Sequence, residues 1–133
     1  MREGTLMFRM DLGSGESGGH AVVALHGELD LVDAPGVAAA LRVIAAREPR
    51  IIVDLTGLVF IDASGVGALR RGRKHARNAG GDLFLAAPQR QVRLVLSIIW
   101  EASGSRLHSS VAEAAAGTGT LRPGVVPSQR QPR

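Results

Sequence analysis

The 133-residue chain contains no cysteine, which excludes disulfides, thiolate zinc sites and cysteine nucleophiles. Its four histidines are scattered, with no ligand pair at helical spacing, so neither a metal nor a cofactor is expected. Tyrosine is absent, and the aromatic residues are only Phe8, Phe60, Phe84 and Trp100. That scarcity removes the stacking platforms on which single-stranded nucleic acids are held. No apolar run exceeds five residues, far short of a membrane-spanning helix, so no membrane partner is expected. The opening MREGTLMFRMDLG lacks the apolar stretch and small-residue cleavage site of a secretory signal, and a cytoplasmic location is expected.

The net charge is +4 and the pI about 11.2, values that would suit a nucleic-acid partner if the charge were spread over the fold. It is not. Residues 1–116 hold 13 Lys/Arg against all 12 Asp/Glu, whereas 117–133 hold three arginines and no acid. The high pI therefore belongs mostly to the end of the chain, and no direct nucleic-acid partner is expected. From Gly117 onward, GTGTLRPGVVPSQRQPR is rich in Gly, Pro and polar residues and carries no apolar period. The expected organisation is one domain over 1–116 and a disordered tail over 117–133.

Within the domain, hydrophobic period assigns the elements. Leu6, Phe8, Met10 and Leu12 alternate with polar neighbours, as in an edge strand. After Gly13 to Gly19, HAVVALH (His20 to His26) reads as a buried strand, and the two suit a hairpin. The intervening GSGESG matches a dinucleotide-binding glycine pattern, but that pattern works by leading into a helix N-terminus. Here a strand follows, so a hairpin loop is the better reading. From Asp33 the period turns helical: Val37, Leu41, Ile44 and Ala45 share a face, Asp33 can cap, and Pro49 bars continuation. RIIVDL (Arg50 to Leu55) is apolar on both faces, as in a central strand. Leu58 to Ile61 then delivers the chain to Asp62-Ala63-Ser64-Gly65, where Asp62 or Ser64 can cap a helix that Gly80-Gly81 ends. DLFLAA (Asp82 to Ala87) is another buried strand, Pro88 opens a helix with Val92, Val95, Leu96 and Ile99 on one face, and a short strand at Arg106 to His108 and a helix at Val111 to Ala116 follow. The order predicts an α/β fold: a mostly parallel four- to five-stranded sheet with an N-terminal β-hairpin strand and three to four helices.

In such sheets, chemistry gathers in loops after the carboxyl ends of strands. Two of these are unusually polar, Gly27-Glu28-Leu29-Asp30 and Asp62-Ala63-Ser64-Gly65. Ser64 at a helix start exposes its hydroxyl where free N–H groups and the helix dipole favour an anion. Alternatively Ser64 is only a cap, worth about 1 kcal/mol. A hydrolase nucleophile elbow would need glycine two residues before the serine, where Asp62 stands, and no histidine is placed beside it. Glu28 and Asp30 read either as an acid–base pair or as polar residues closing a strand. The basic run Arg70, Arg71, Arg73, Lys74, His75 and Arg77 reads as a solvated helix face, and Trp100 as a core residue.

The segments VVALHGELDLVDAP and IIVDLTGLVFIDASGVGALRRGRKHARNAGGDLFLAAP resemble the STAS domain of bacterial anti-sigma factor antagonists. The likeness rests on Gly27 to Asp30, Val53 to Gly57 and Phe60 to Gly67, and extends over about residues 5 to 116. It implies a non-enzymatic, monomeric adaptor with a STAS-type fold, which binds an anti-sigma factor with serine kinase activity and so frees a sigma factor. It also implies that the kinase inactivates it by phosphorylating the serine before the motif glycine, Ser64, and that a phosphatase acting on phospho-Ser64 restores it. Glu28, Asp30, Asp62, Ala63, Gly65 and Val66 are the implied partner contacts. Three departures stand out: Ala63 replaces the commoner first serine, Arg70 stands where the family has an apolar residue, and IWEASGSRLH after Ile98 differs from the usual ending. Two other readings remain: a constitutive scaffold or transport-accessory STAS domain that is never phosphorylated, and a nucleotide-binding enzyme, against which the chain lacks a lysine-bearing phosphate loop.

Overall fold

A computed structural model describes residues 7–13 and 19–119. In chain order the elements are β1 (Arg9–Leu12), β2 (Ala21–Leu29), α1 (Ala34–Arg47), β3 (Arg50–Ile61), α2 (Ala63–Asn78), β4 (Asp82–Ala86), α3 (Arg90–Ile99), a single 3-10 turn (Glu101–Ser103), β5 (Leu107–His108) and α4 (Val111–Gly119). The strands form one sheet in the order β1-β2-β3-β4-β5, with β1 antiparallel to β2 and every other pair parallel. This is the expected α/β architecture at five strands and four helices. The last helix runs to Gly119, three residues into the stretch assigned to the tail, and the rest of that stretch lies outside the described residues. So do Ser14 to Gly18 of the glycine-rich loop; Gly13 donates to the Val22 carbonyl at 2.7 Å, and β2 follows.

A strand order that advances in one direction, with right-handed crossovers, puts every connecting helix on the same face of the sheet. The core has that form. Val23, Leu25, Ile51, Val53, Leu83 and Leu85 point into one cluster with Val37 and Leu41 of α1, Val66 and Leu69 of α2, and Val92 and Leu96 of α3. Each such large side chain, fully buried, contributes about 1.5–3 kcal/mol. The period of two turns Ile52, Phe84 and Ala86 to the opposite face, where Ala114 of α4 covers them. β3 is thus central and covered on both sides, as its two-faced apolar run predicts.

Two strands are longer than their sequence suggests. Gly27 and the Thr56-Gly57 pair read as strand breakers, yet β2 and β3 stay paired to Glu28↔Phe60 and Leu29↔Ile61. Register shifts between Ala24 and His26 and between Gly27 and Glu28 absorb the irregularity. Gly27 has φ +88°, and a Cβ there would lie 2.3 Å from the Met7 carbonyl oxygen, so only glycine lets the segment before β1 lie against this bulge. Gly27 to Leu29 are therefore strand rather than loop, and Leu58 to Ile61 are strand rather than connection. Beyond Asp54, β3 has outrun β4. Its freed edge is sealed by α3: Gln89 Nε2 donates to the Thr56 carbonyl at 2.7 Å and Gln91 Nε2 to the Val59 carbonyl at 3.0 Å. Two local expectations also change. Asp33 occupies the cap position of α1 without a side-chain cap bond, and α3 starts at Arg90 after Gln89 rather than at Pro88.

Candidate functional site

The carboxyl ends of β2 and β3 lie side by side, and the first turn of α2 is docked on them. The Asp62 N–H donates to the Leu29 carbonyl at 3.3 Å. Gly65 is buried there because a Cβ would lie 2.9 Å from the Leu29 oxygen and 2.7 Å from Ile61 Cγ1. A glycine at this position is what brings the Asp30 loop and Ser64 together. Both polar loops singled out in the sequence thus meet at one end of the sheet.

Asp30 shapes its loop through the backbone. Its Oδ1 accepts the Val32 N–H at 3.0 Å, and its carbonyl accepts those of Asp33 at 3.2 Å and Ala34 at 2.9 Å. This Asx turn does the work expected of Asp33 at the start of α1. It also holds Leu31 and Val32 outward, 71% and 78% exposed. They form an exposed apolar pair beside the two polar loops. Sequence reasoning overlooked them; the available signal was an apolar pair between acidic residues that no helix face could use.

At α2 the choice of cap is resolved. Asp62 Oδ1 accepts the Gly65 N–H at 3.0 Å, and the Asp62 carbonyl accepts that of Val66 at 3.0 Å. Ser64 is the second residue inside the helix, half-buried, and its hydroxyl has no hydrogen-bond partner among the described residues. The N–H groups of Ala63 and Ser64 likewise have no acceptor among those residues, as first-turn donors lack an intrahelical one. A phosphate on Ser64 would meet these donors and the positive end of the helix dipole. Ala63 beside it is exposed.

The other expected contacts divide by burial. Val66 is 1% exposed and packs in the core, so its side chain does not form part of the surface. Gly65 is buried too, its role being the close approach just described. Glu28 is half-buried and paired in register with Phe60. Strand alternation turns both away from Leu29 and Ile61, so Glu28 stands on the opposite sheet face from α2. Phe60, 45% exposed, gives that face an apolar tip.

The basic helix face is only partly a solvated one. Arg73 is half-buried, with Nε donating to Asp82 Oδ1 at 2.8 Å and Nη1 to Ser105 Oγ. Arg70 answers for its position by donating to the Ile99 carbonyl at 2.9 Å, which satisfies the end of α3. Trp100 is in the core, 1% exposed. Among the described residues no group of three His, Cys, Asp or Glu could hold a metal ion, and no helix is long and apolar enough to cross a membrane.

Comparison with known folds finds the same architecture in an anti-sigma factor antagonist from Mycobacterium paratuberculosis, at TM-score 0.72 and 19% identity over 84% of this chain and 93% of that one. The Bacillus cell fate determinant SpoIIAA in its phosphorylated form aligns at TM-score 0.60 and 22% identity, over 84% of this chain and 99% of the other. A murine solute carrier 26 family anion transporter contains a similar unit, with TM-score 0.66 and 19% identity over 77% of this chain but 18% of the transporter. No curated protein sequence matches the chain. The sequence pattern of the STAS domain matches residues 15–114, from the loop before β2 to the middle of α4. With the fold and that match in agreement over most of its length, the chain belongs to the STAS domain family.

Proposed function

We propose that this STAS domain is an anti-sigma factor antagonist. It binds an anti-sigma factor with serine kinase activity through the surface around the start of α2, and phosphorylation of Ser64 ends that binding. The observation that carries the reading is the division of labour at α2: Asp62 caps the helix, which leaves the Ser64 hydroxyl without a structural duty. Exposed Ala63, Leu31 and Val32 supply the apolar part of the contact, and Asp30 and Asp62 its acidic part. A phosphate adds a charge of about −1.5 to −2 beside those two carboxylates. The fold tolerates it, because the first-turn donors receive it, while a partner surface complementary to the carboxylates is repelled. A phosphatase would restore binding. No catalytic role is assigned to any residue of this chain.

The test is affinity capture from lysate of the source organism with tagged wild type, Ser64→Ala and Ser64→Asp, combined with phosphosite mapping of the native protein. Wild type and Ser64→Ala should recover a serine kinase-like protein that Ser64→Asp does not, and native label should fall on Ser64. Identical partners for all three, with no label on Ser64, would reject the switch. That result would favour the second reading, a constitutive scaffold or transport-accessory domain, which the likeness to a unit within an anion transporter supports.

A further inference from the structure

Arg73 divides the cations of α2 into two kinds. Its own charge is neutralised by Asp82 and fixed in place, with Cζ 5.8 Å from the centre of the Trp100 ring. Arg70, Lys74 and Arg77 differ. All three are exposed, and none has a carboxylate within ion-pair distance among the described residues. They follow one another at i, i+4 and i+7, the spacing at which like charges on a helix repel. The helix dipole rewards a cation only in the last turn, which accounts for Arg77, and the Ile99 carbonyl holds Arg70, which leaves Lys74 without a local partner of either kind.

These side chains do not fan out over a convex surface. Together with Arg73, Trp100 and Ser105 they wall a cleft of about 380 Å³ between the second half of α2 and the connection from α3 to β5. That volume is within the range of small-molecule sites, about 300–1,000 Å³. Its chemistry is one-sided. The lining residues are cationic or neutral, with no carboxylate among them, so the charge the cleft presents is of one sign. An anion would relieve the repulsion among three like charges, and guanidinium forks match the oxygens of phosphate two at a time. One phosphate carries about −1.5 to −2, less than the three unpaired cations, whereas two linked phosphates match them.

We propose that this cleft binds a small anion bearing at least two phosphate groups. Arg70, Lys74 and Arg77 grip the phosphates, and the immobilised Arg73 forms the wall behind them. The site is independent of the surface at Ser64: neither Ser64 nor its neighbours line it.

Trp100 is the chain's single tryptophan and lines the cleft, so its fluorescence reports occupancy. Inorganic pyrophosphate titrated into the full chain at about 150 mM salt, where long-range attraction is screened, should give a saturable change in emission with one site per chain. The triple variant Arg70→Gln, Lys74→Gln, Arg77→Gln should weaken binding by about tenfold or more, since it removes the charge-assisted bonds. The double variant Arg42→Gln, Arg47→Gln on α1 should bind as wild type does. All five positions are exposed, and matching circular dichroism of the unliganded variants establishes that the fold is kept. Absence of saturable binding, unchanged affinity in the triple variant, or an equal loss in the α1 double variant would each overturn the site. Inorganic phosphate binding as tightly as pyrophosphate would overturn the two-phosphate assignment.

Discussion

At the scale of single residues, the chemistry of this domain turns on which of two adjacent polar residues holds the helix. Asp62 accepts the Gly65 N–H, so Asp62→Ala should cost about 1 kcal/mol. Ser64 makes no such bond, and Ser64→Ala should change stability by no more than about 0.5 kcal/mol. Urea denaturation of the two variants measures both numbers. Equal losses would mean that Ser64 shares the capping, and would weaken its assignment as a residue kept for modification. Gly65 shows why neighbouring positions of one motif serve different ends: its missing Cβ is what admits α2 onto the end of β2. Ser64 therefore sits where it does because of a residue that cannot itself be modified.

At the scale of elements, the least secured part of the sheet is β5 with α4. β5 has two residues, and its docking depends on a small group of side chains. Ser110 caps α4 by accepting the Glu113 N–H at 2.9 Å, while Glu113 Oε1 accepts the Ser109 N–H at 2.6 Å, a variant of the capping box. His108 is buried, edge-on to Phe84, with Nδ1 3.6 Å from Glu113 Oε1 and no hydrogen bond to that nitrogen among the described residues. Burial holds the His108 pKa below its ordinary value of 6.5; nearby Arg106 also lowers it, and Glu113 opposes both. The native state therefore favours neutral His108, while the unfolded chain takes up a proton near 6.5. Stability from this group is complete above that pH and is lost as pH falls through the depressed folded value. Glu113 acts in the same direction at lower pH. The Ser109 N–H holds its pKa below the usual 4.5, so its contribution is lost as pH falls through that lowered value. Melting temperature should accordingly fall between pH 7 and about pH 5.5, and His108→Asn should flatten that slope. An unchanged slope in the variant would place the titration elsewhere.

At the scale of the whole molecule, the described helices pack on both faces of the sheet. α1, α2 and α3 cover one, and Ala114 of α4 reaches the centre of the other. We place the end of the folding unit at Gly119, the last described residue of α4. Deleting residues 120–133 should then leave the melting temperature unchanged within error, because TLRPGVVPSQRQPR offers no apolar period with which to extend the core. A drop of several degrees would move that boundary outward. The same deletion removes three arginines, so it also tests whether the pyrophosphate affinity belongs to α2, as argued, or depends on the tail.

Local sequence determined the element order, the period-two and helical faces, the stop at Gly80-Gly81 and the serine at the start of α2. These are properties of short stretches, and they can be read without knowing what lies opposite. The Gly80-Gly81 stop is realised as a Schellman ending, with Gly81 donating to the Ala76 carbonyl at 2.9 Å and Gly80 to that of Arg77 at 3.1 Å. Tertiary structure decided what depends on partners distant in sequence. Pairing across the bulges carried β2 and β3 through their glycines, and strand alternation put Glu28 on the opposite face from α2. Packing withdrew Val66 into the core and left Leu31 and Val32 outside. Arg73 became the fixed cation of the basic run of α2 only because Asp82, Ser105 and Trp100 stand beside it. A side chain's period is set by its own helix or strand, but its charge, accessibility and use are set by what the fold brings against it.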